Sequence, residues 1–172
     1  MSALCSEPVS LHNLLDSEDT EHMLGALASL GVSCEKSDNA TLVTGCPGQW
    51  QLNDTSLHLG NAGTAMRPLI AVLAATLSAN QQVELTGDSR MQERPVQHLV
   101  EALQAQGAEI TYQKAPGYPP VLIKPGLKPG NFSIDGSVSS QFISALLMAL
   151  PLLKQDSTLT LVGDVVLSLI HI

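Results

Sequence analysis

At 172 residues and 18.1 kDa the chain has the length of one domain, or of part of a larger protein. Its net charge of −8 excludes the clustered Lys and Arg surface that nucleic acid or an anionic membrane requires. Hydrophobic residues at 44% supply a core, but aromatics at 3% leave the packing to Ala, Leu and Val and provide no base-stacking platform.

In chain order, Ser17 is placed to cap a helix whose first turn, Glu18 to Glu21, suits the positive end of the helix dipole. Met23, Leu24, Leu27 and Leu30 form its apolar stripe and Gly31 its left-handed stop. Strands are predicted over 32–36 and 41–45, then a helix over 63–77 with Met66, Leu69, Ile70 and Leu73 inward. A strand over 83–86 follows, and Pro95 at the first helical position opens a helix ending at Gly107. Strands over 108–113 and 120–124, a helix over 139–152 and a strand over 158–162 complete the reading.

The order is periodic. Residues 22–31 (HMLGALASLG) align with 98–107 (HLVEALQAQG), 60–64 (GNAGT) with 136–140 (GSVSS), and 85–88 (LTGD) with 161–164 (LVGD), each at an offset of 76. Three landmarks at one spacing predict large pseudo-symmetric units, about two and the start of a third. No segment reaches the ~20 apolar residues that span a bilayer, and no basic-then-apolar leader opens the chain. Cys5, Cys34 and Cys46 are odd in number and lack CxxC spacing, so they read as free thiols of a reducing cytosol. The five His contain no HExxH pair, and no metal site is expected. His22 and His98 fall at equivalent helical positions and read as packing or solvent-facing residues; His12 and His58 lie in strand-like segments.

Three stretches carry chemistry. Arg67, Arg90 and Arg94 are all the arginines of an acidic chain, within 28 residues, and two precede a proline. They are either surface residues flanking helices or the forks of a site for a small multiply charged anion. Leu59-Gly-Asn-Ala-Gly-Thr-Ala-Met-Arg-Pro68 places a small-residue turn before a helix, where the N–H groups of Ala62, Gly63 and Thr64 can face an anion and Gly63 admits close approach. The alternative is an ordinary helix start, because the spacing is neither GxGxxG nor GxxxxGKS. Asp135-Gly-Ser-Val-Ser-Ser-Gln141 sets Ser139, Ser140 and Gln141 at the pseudo-equivalent helix start, as plain caps or as phosphate and hydroxyl ligands.

These stretches, with Arg90-Met-Gln-Glu-Arg-Pro95 and Asn13-Leu-Leu-Asp-Ser-Glu-Asp19, resemble the motifs of the 5-enolpyruvylshikimate-3-phosphate synthase family from about Leu11 to Val166. The resemblance implies an α/β fold of repeated βαβαββ units, an inside-out α/β barrel, and transfer of the enolpyruvyl group of phosphoenolpyruvate to the 5-hydroxyl of shikimate 3-phosphate with release of phosphate. It implies no cofactor, a cytoplasmic monomeric enzyme, and glyphosate as inhibitor. By motif, Gly63, Arg94, Gln141 and Asn61 would bind phosphoenolpyruvate, with Thr64 shaping the same turn. Ser139, Ser140 and Gln141 would bind shikimate 3-phosphate. Arg67 and Arg90 match positions whose role looks structural.

The family's Pro-Gly-Ser-Lys-Ser loop and its second domain, with the catalytic Asp, Lys and Glu, have no counterpart here. No catalytic residue is therefore expected within this segment, and residues 1–166 are expected to be part of a first substrate-binding domain. Residues 167–172 resemble a translated sequencing adapter and are expected to be a non-native tail. The rival readings are a UDP-N-acetylglucosamine enolpyruvyl transferase, a non-catalytic module binding a phosphorylated metabolite, and a broken reading frame.

Overall fold

The computed structural model describes residues 1–46 and 49–164, so the tail expected at 167–172 lies outside the described residues. Thirteen helices and strands carry the architecture: β1 (Val9–His12), α1 (Glu18–Ser29), β2 (Ser33–Lys36), β3 (Ala40–Thr44), β4 (Ser56–His58), α2 (Gly63–Thr76), β5 (Val83–Thr86), α3 (Gln97–Gln104), β6 (Glu109–Tyr112), β7 (Val121–Lys124), β8 (Asn131–Asp135), α4 (Ser140–Ala149) and β9 (Thr158–Val162).

Hydrogen bonding groups the strands into three sheets, β1-β3-β2, β4-β5-β7-β6 and β8-β9. The middle sheet is one complete βαβαββ unit, β4-α2-β5-α3-β6-β7, with β4 parallel to β5 and the remaining neighbours antiparallel. The sheets on either side are the closing part of one such unit and the opening part of another. The 76-residue period is therefore present, but the boundary between units falls before β4 instead of before β5. That follows from the parallel crossovers: β4-α2-β5 and β8-α4-β9 each join two strands of one sheet. Both crossover helices begin just past the carboxyl end of a parallel strand, the end at which open α/β sheets place ligands.

The 12 residues of α1 are capped as expected: Ser17 Oγ accepts the Thr20 N–H at 3.3 Å, and Gly31 stops the helix at φ +91°. Its stripe is less buried than its spacing suggests. Leu30 and Ala26 are buried, whereas Met23, Leu24 and Leu27 are half-buried along a groove shared with Pro68 and Val72 of α2. α2 is the central helix, with Met66, Leu69, Ile70 and Leu73 buried as its spacing predicts. It is apolar on nearly every side because α1, α3 and α4 all pack against it.

Two expectations are corrected. Pro95 is not the first residue of α3, which begins at Gln97 with Val96 before it. A residue preceding proline is pushed toward extended backbone, and Arg94 sits at φ −95°, ψ 116°. The Val96 N–H then donates to the Gly117 carbonyl at 2.9 Å, which holds the segment off the helix for two more residues. The strand β8 was not anticipated; its buried Phe132 and Ile134 alternate with exposed Ser133, and it pairs in parallel with β9.

Two glycines, one within α1 and one just past its end, make opposite predictions. A Cβ on Gly25 meets nothing within 4 Å, so Gly25→Ala should raise stability by about 0.5–1 kcal/mol. A Cβ on Gly31 would lie 2.7 Å from Gln51 Cβ and 2.9 Å from its carbonyl oxygen at positive φ, so Gly31→Ala should lower stability by at least ~1–2 kcal/mol. Thermal unfolding midpoints moving in opposite directions check the pair.

Candidate functional site

The turn between β4 and α2 is where the arginines converge. Arg94 Nη1 donates to both oxygens of Asn61, at 2.8 Å to the backbone carbonyl and 3.2 Å to Oδ1. Its guanidinium thereby lies across the start of α2. A Cβ built on Gly63 would sit 2.6 Å from Arg94 Nη2 and 2.9 Å from Cζ, and closer still to Arg67 Nη1. Gly63 is thus the one place in the turn where absence of a side chain lets two guanidinium groups pack against the backbone.

The backbone N–H groups contribute less than the sequence suggested. That of Ala62 donates to the Leu59 carbonyl at 2.9 Å and that of Gly63 to the Asn61 carbonyl at 3.0 Å. Only the Thr64 N–H, of the three, makes no hydrogen bond inside the turn. The positive character of this turn therefore comes mainly from Arg94 and Arg67.

Arg67 is 5% exposed. Its Nη2 donates to the Pro95 carbonyl at 3.2 Å, its Cζ lies 5.8 Å from the centroid of the Phe142 ring, and its Nε and Nη1 have no hydrogen-bond partner. Burial, and then the charge of Arg94, push its pKa down to about 10, so it stays protonated at neutral pH. The sequence signal was available: Arg67 is the only charged residue in the 14 residues of α2.

The second cluster stands at the start of α4. Ser139 Oγ accepts the Gln141 N–H at 3.2 Å, as a cap does, while Ser140 and Gln141 form the first turn and are half-buried. The preceding turn is closed by its own aspartate. Asp135 Oδ1 accepts from the Ser137 N–H at 2.8 Å and from its hydroxyl at 2.6 Å, which holds the Asp135 carboxyl below its ordinary range. Phe142, next to Gln141, lies under the Arg67 guanidinium and so links this cluster to the first.

Gly63, Asn61 and Arg94 therefore form one group, and Ser139, Ser140 and Gln141 a second beside it. Arg90 is exposed on the loop before them. Sequence reasoning missed three partners. The Thr64 hydroxyl donates to Asp19 Oδ2 at 2.6 Å, so the first turn of α1 is more than a solvated acidic run. The His22 imidazole fills the space beside Gly60, and its ring meets that of His58 edge-on with centroids 6.2 Å apart. His98 lies 6.4 Å from Phe142, ring to ring. Among the described residues no group of three or more His, Cys, Asp and Glu is placed to hold a metal ion, and no helix is long and apolar enough to cross a membrane.

The chain is similar to proteins of known activity along nearly its whole length. The family profile described as EPSP synthase (3-phosphoshikimate 1-carboxyvinyltransferase) matches residues 1–172. The 3-phosphoshikimate 1-carboxyvinyltransferase of Idiomarina loihiensis is 62% identical over 167 residues, and that of Mannheimia haemolytica 49% identical over 170. Each alignment covers 96% of this chain and 39% of the relative, so the chain spans about two-fifths of the length of the curated relatives it matches. Among solved structures, EPSP synthase from Acinetobacter baumannii superposes with a TM-score of 0.83 at 26% identity, over 95% of this chain and 37% of that one. The inside-out α/β architecture of repeated units is shared with it. The chain belongs to the EPSP synthase (3-phosphoshikimate 1-carboxyvinyltransferase) family.

Proposed function

We propose that this chain forms much of the first substrate-binding domain of a cytoplasmic, cofactor-independent synthase. That enzyme transfers the enolpyruvyl group of phosphoenolpyruvate to the 5-hydroxyl of shikimate 3-phosphate. The reaction breaks the bond between C2 of phosphoenolpyruvate and its phosphate oxygen and makes one between C2 and the 5-hydroxyl oxygen, the hydroxyl proton being balanced on the released phosphate. The observation that carries the reading is Arg94 lying across the turn at Gly63, where no side chain intervenes, with Arg67 behind it and the Ser139–Gln141 cluster alongside.

Arg94 and the Thr64 N–H hold the phosphate of phosphoenolpyruvate, with Asn61 fixing the guanidinium. Ser139 and Ser140 hold the phosphate of shikimate 3-phosphate, and Gln141 stands between the two substrates. A guanidinium fork suits a dianion because it offers paired donors in a fixed plane, and charge-assisted bonds are the stronger ones. These residues bind and orient; holding both reactants in one geometry is itself a large part of catalysis. Proton transfer is assigned to the catalytic Asp, Lys and Glu of the second domain that the resemblance implies.

The full-length protein carrying this segment tests the reading through phosphate release from phosphoenolpyruvate with each acceptor. Release with shikimate 3-phosphate and none with UDP-N-acetylglucosamine is expected. The reverse identifies the sister transferase, and binding of phosphorylated ligands without any release identifies a non-catalytic module.

Within that enzyme, Arg94→Lys keeps the charge but loses the two-donor plane. Charge-assisted hydrogen bonds contribute roughly 1.5–3 kcal/mol each, so phosphoenolpyruvate should bind at least about tenfold more weakly. Shikimate 3-phosphate alone should bind nearly unchanged in separate calorimetric titrations, and equal losses for both would place Arg94 in the scaffold. Gly63→Ala acts through the same group, because its methyl meets guanidinium atoms before it meets a ligand. The end of an arginine can shift, so phosphoenolpyruvate affinity should fall by only about 2–10-fold, less than the loss for glyphosate.

A further inference from the structure

Resting on the synthase reading above, we propose that Arg67 is a positioning residue of the phosphoenolpyruvate phosphate site: it fixes the Arg94 loop and lays a second, buried positive charge beneath the Gly63 turn.

The carrying observation is a guanidinium that is 5% exposed, with Nε and Nη1 unpartnered and Nη1 directed at the start of α2 beside Gly63. A buried charge without a counter-ion is costly, and its usual resolution is a nearby carboxylate. No ion pair or hydrogen bond to a carboxylate is recorded for Arg67 among the described residues. Its neighbours are instead a carbonyl, an aromatic face and a second cation. Such an arrangement is balanced by an anion entering from the open side, over Arg94.

The geometry also explains how Arg67 acts without touching the ligand. Nη2 donates to the Pro95 carbonyl, and Pro95 follows Arg94 directly, so the loop is held at the residue next to the phosphate fork. Burial and then the charge of Arg94 lower the proton affinity of Arg67, while the two bonds from Arg94 Nη1 to the oxygens of Asn61 hold the Arg94 guanidinium on the turn surface. The Phe142 contact ties the same side chain to the start of α4, next to Gln141. The buried arginine thus stands between the two half-sites, bonded to the loop of the first and only in ring contact with the helix of the second. A phosphate dianion on Arg94 meets one positive charge in contact and a second behind it, through low-dielectric protein in place of water.

The test uses the full-length synthase and compares Arg67→Lys with Arg67→Gln. Gln keeps a planar amide donor but carries no charge; Lys keeps the charge and loses the planar donor set. Arg67→Gln is expected to raise KM for phosphoenolpyruvate about tenfold or more, KM for shikimate 3-phosphate staying within about threefold, and Arg67→Lys to recover most of that loss. If the Gln variant does not fold, the Lys variant decides alone: its KM for phosphoenolpyruvate should rise by about threefold or more with that for shikimate 3-phosphate unchanged. Equal changes in both KM values, no change in either, or a folded Lys variant no better than Gln would overturn the proposal. An unmutated enzyme that releases no phosphate with shikimate 3-phosphate would instead overturn the synthase reading on which it rests.

Discussion

Two like charges held against one turn are the constraint on which this structure depends. Arg67 and Arg94 both reach the backbone at Gly63, inside a chain whose net charge is −8. Mutual repulsion and, for Arg67, removal from water both oppose the arrangement. It persists because the surrounding fold over-determines it. α2 is buried on most sides, Pro95 offers a carbonyl, Phe142 offers a ring face, and both oxygens of Asn61 anchor Arg94 from the other side. On the proposed reading, such a site is prepared for a dianion before the dianion arrives, which is the condition for electrostatic pre-organisation.

The scaffold follows from repetition. Two parallel crossovers, β4-α2-β5 and β8-α4-β9, aim two helix starts past the ends of their strands, and α2 packs against α4. The pseudo-equivalent turns then diverge in chemistry. At 60–64 the side chains are small and the cations come from elsewhere in the chain. At 136–140 the turn brings its own hydroxyls, and Ser139 caps its own helix. Small residues at the first turn make room for charge, and the second turn carries hydroxyls without adding charge.

Most of the scaffold was legible because its signals are local. Ser17, Gly31, the Met66-Leu69-Ile70-Leu73 stripe and the alternation at 83–86 are each decided within a few residues. The start of α3 was misplaced because the usual preference for proline at the first helical turn competed with a tertiary hydrogen bond from Val96 to Gly117. The half-burial of Met23, Leu24 and Leu27 was illegible for a related reason: periodicity marks an apolar face and does not say what covers it. In the site, motif resemblance singled out Gly63 and Arg94, and the structure brings them together. It placed Arg67 among structural positions, because no local pattern shows that residue 67 reaches the carbonyl of residue 95 and the ring of residue 142. The Asp19–Thr64 bond was hidden likewise, being a contact between two helix starts 45 residues apart.

The most direct test of the account is the response of the three arginine side chains to phosphoenolpyruvate, followed by the Nε–H resonances of the full-length protein labelled with 15N-arginine. The account predicts that the resonances of Arg94 and Arg67 move together and saturate at one ligand concentration, because a dianion on Arg94 balances the charge behind it, while Arg90 stays still. Movement of Arg90 with Arg94 and Arg67 silent would contradict it, since the anion would then bind away from the Gly63 turn.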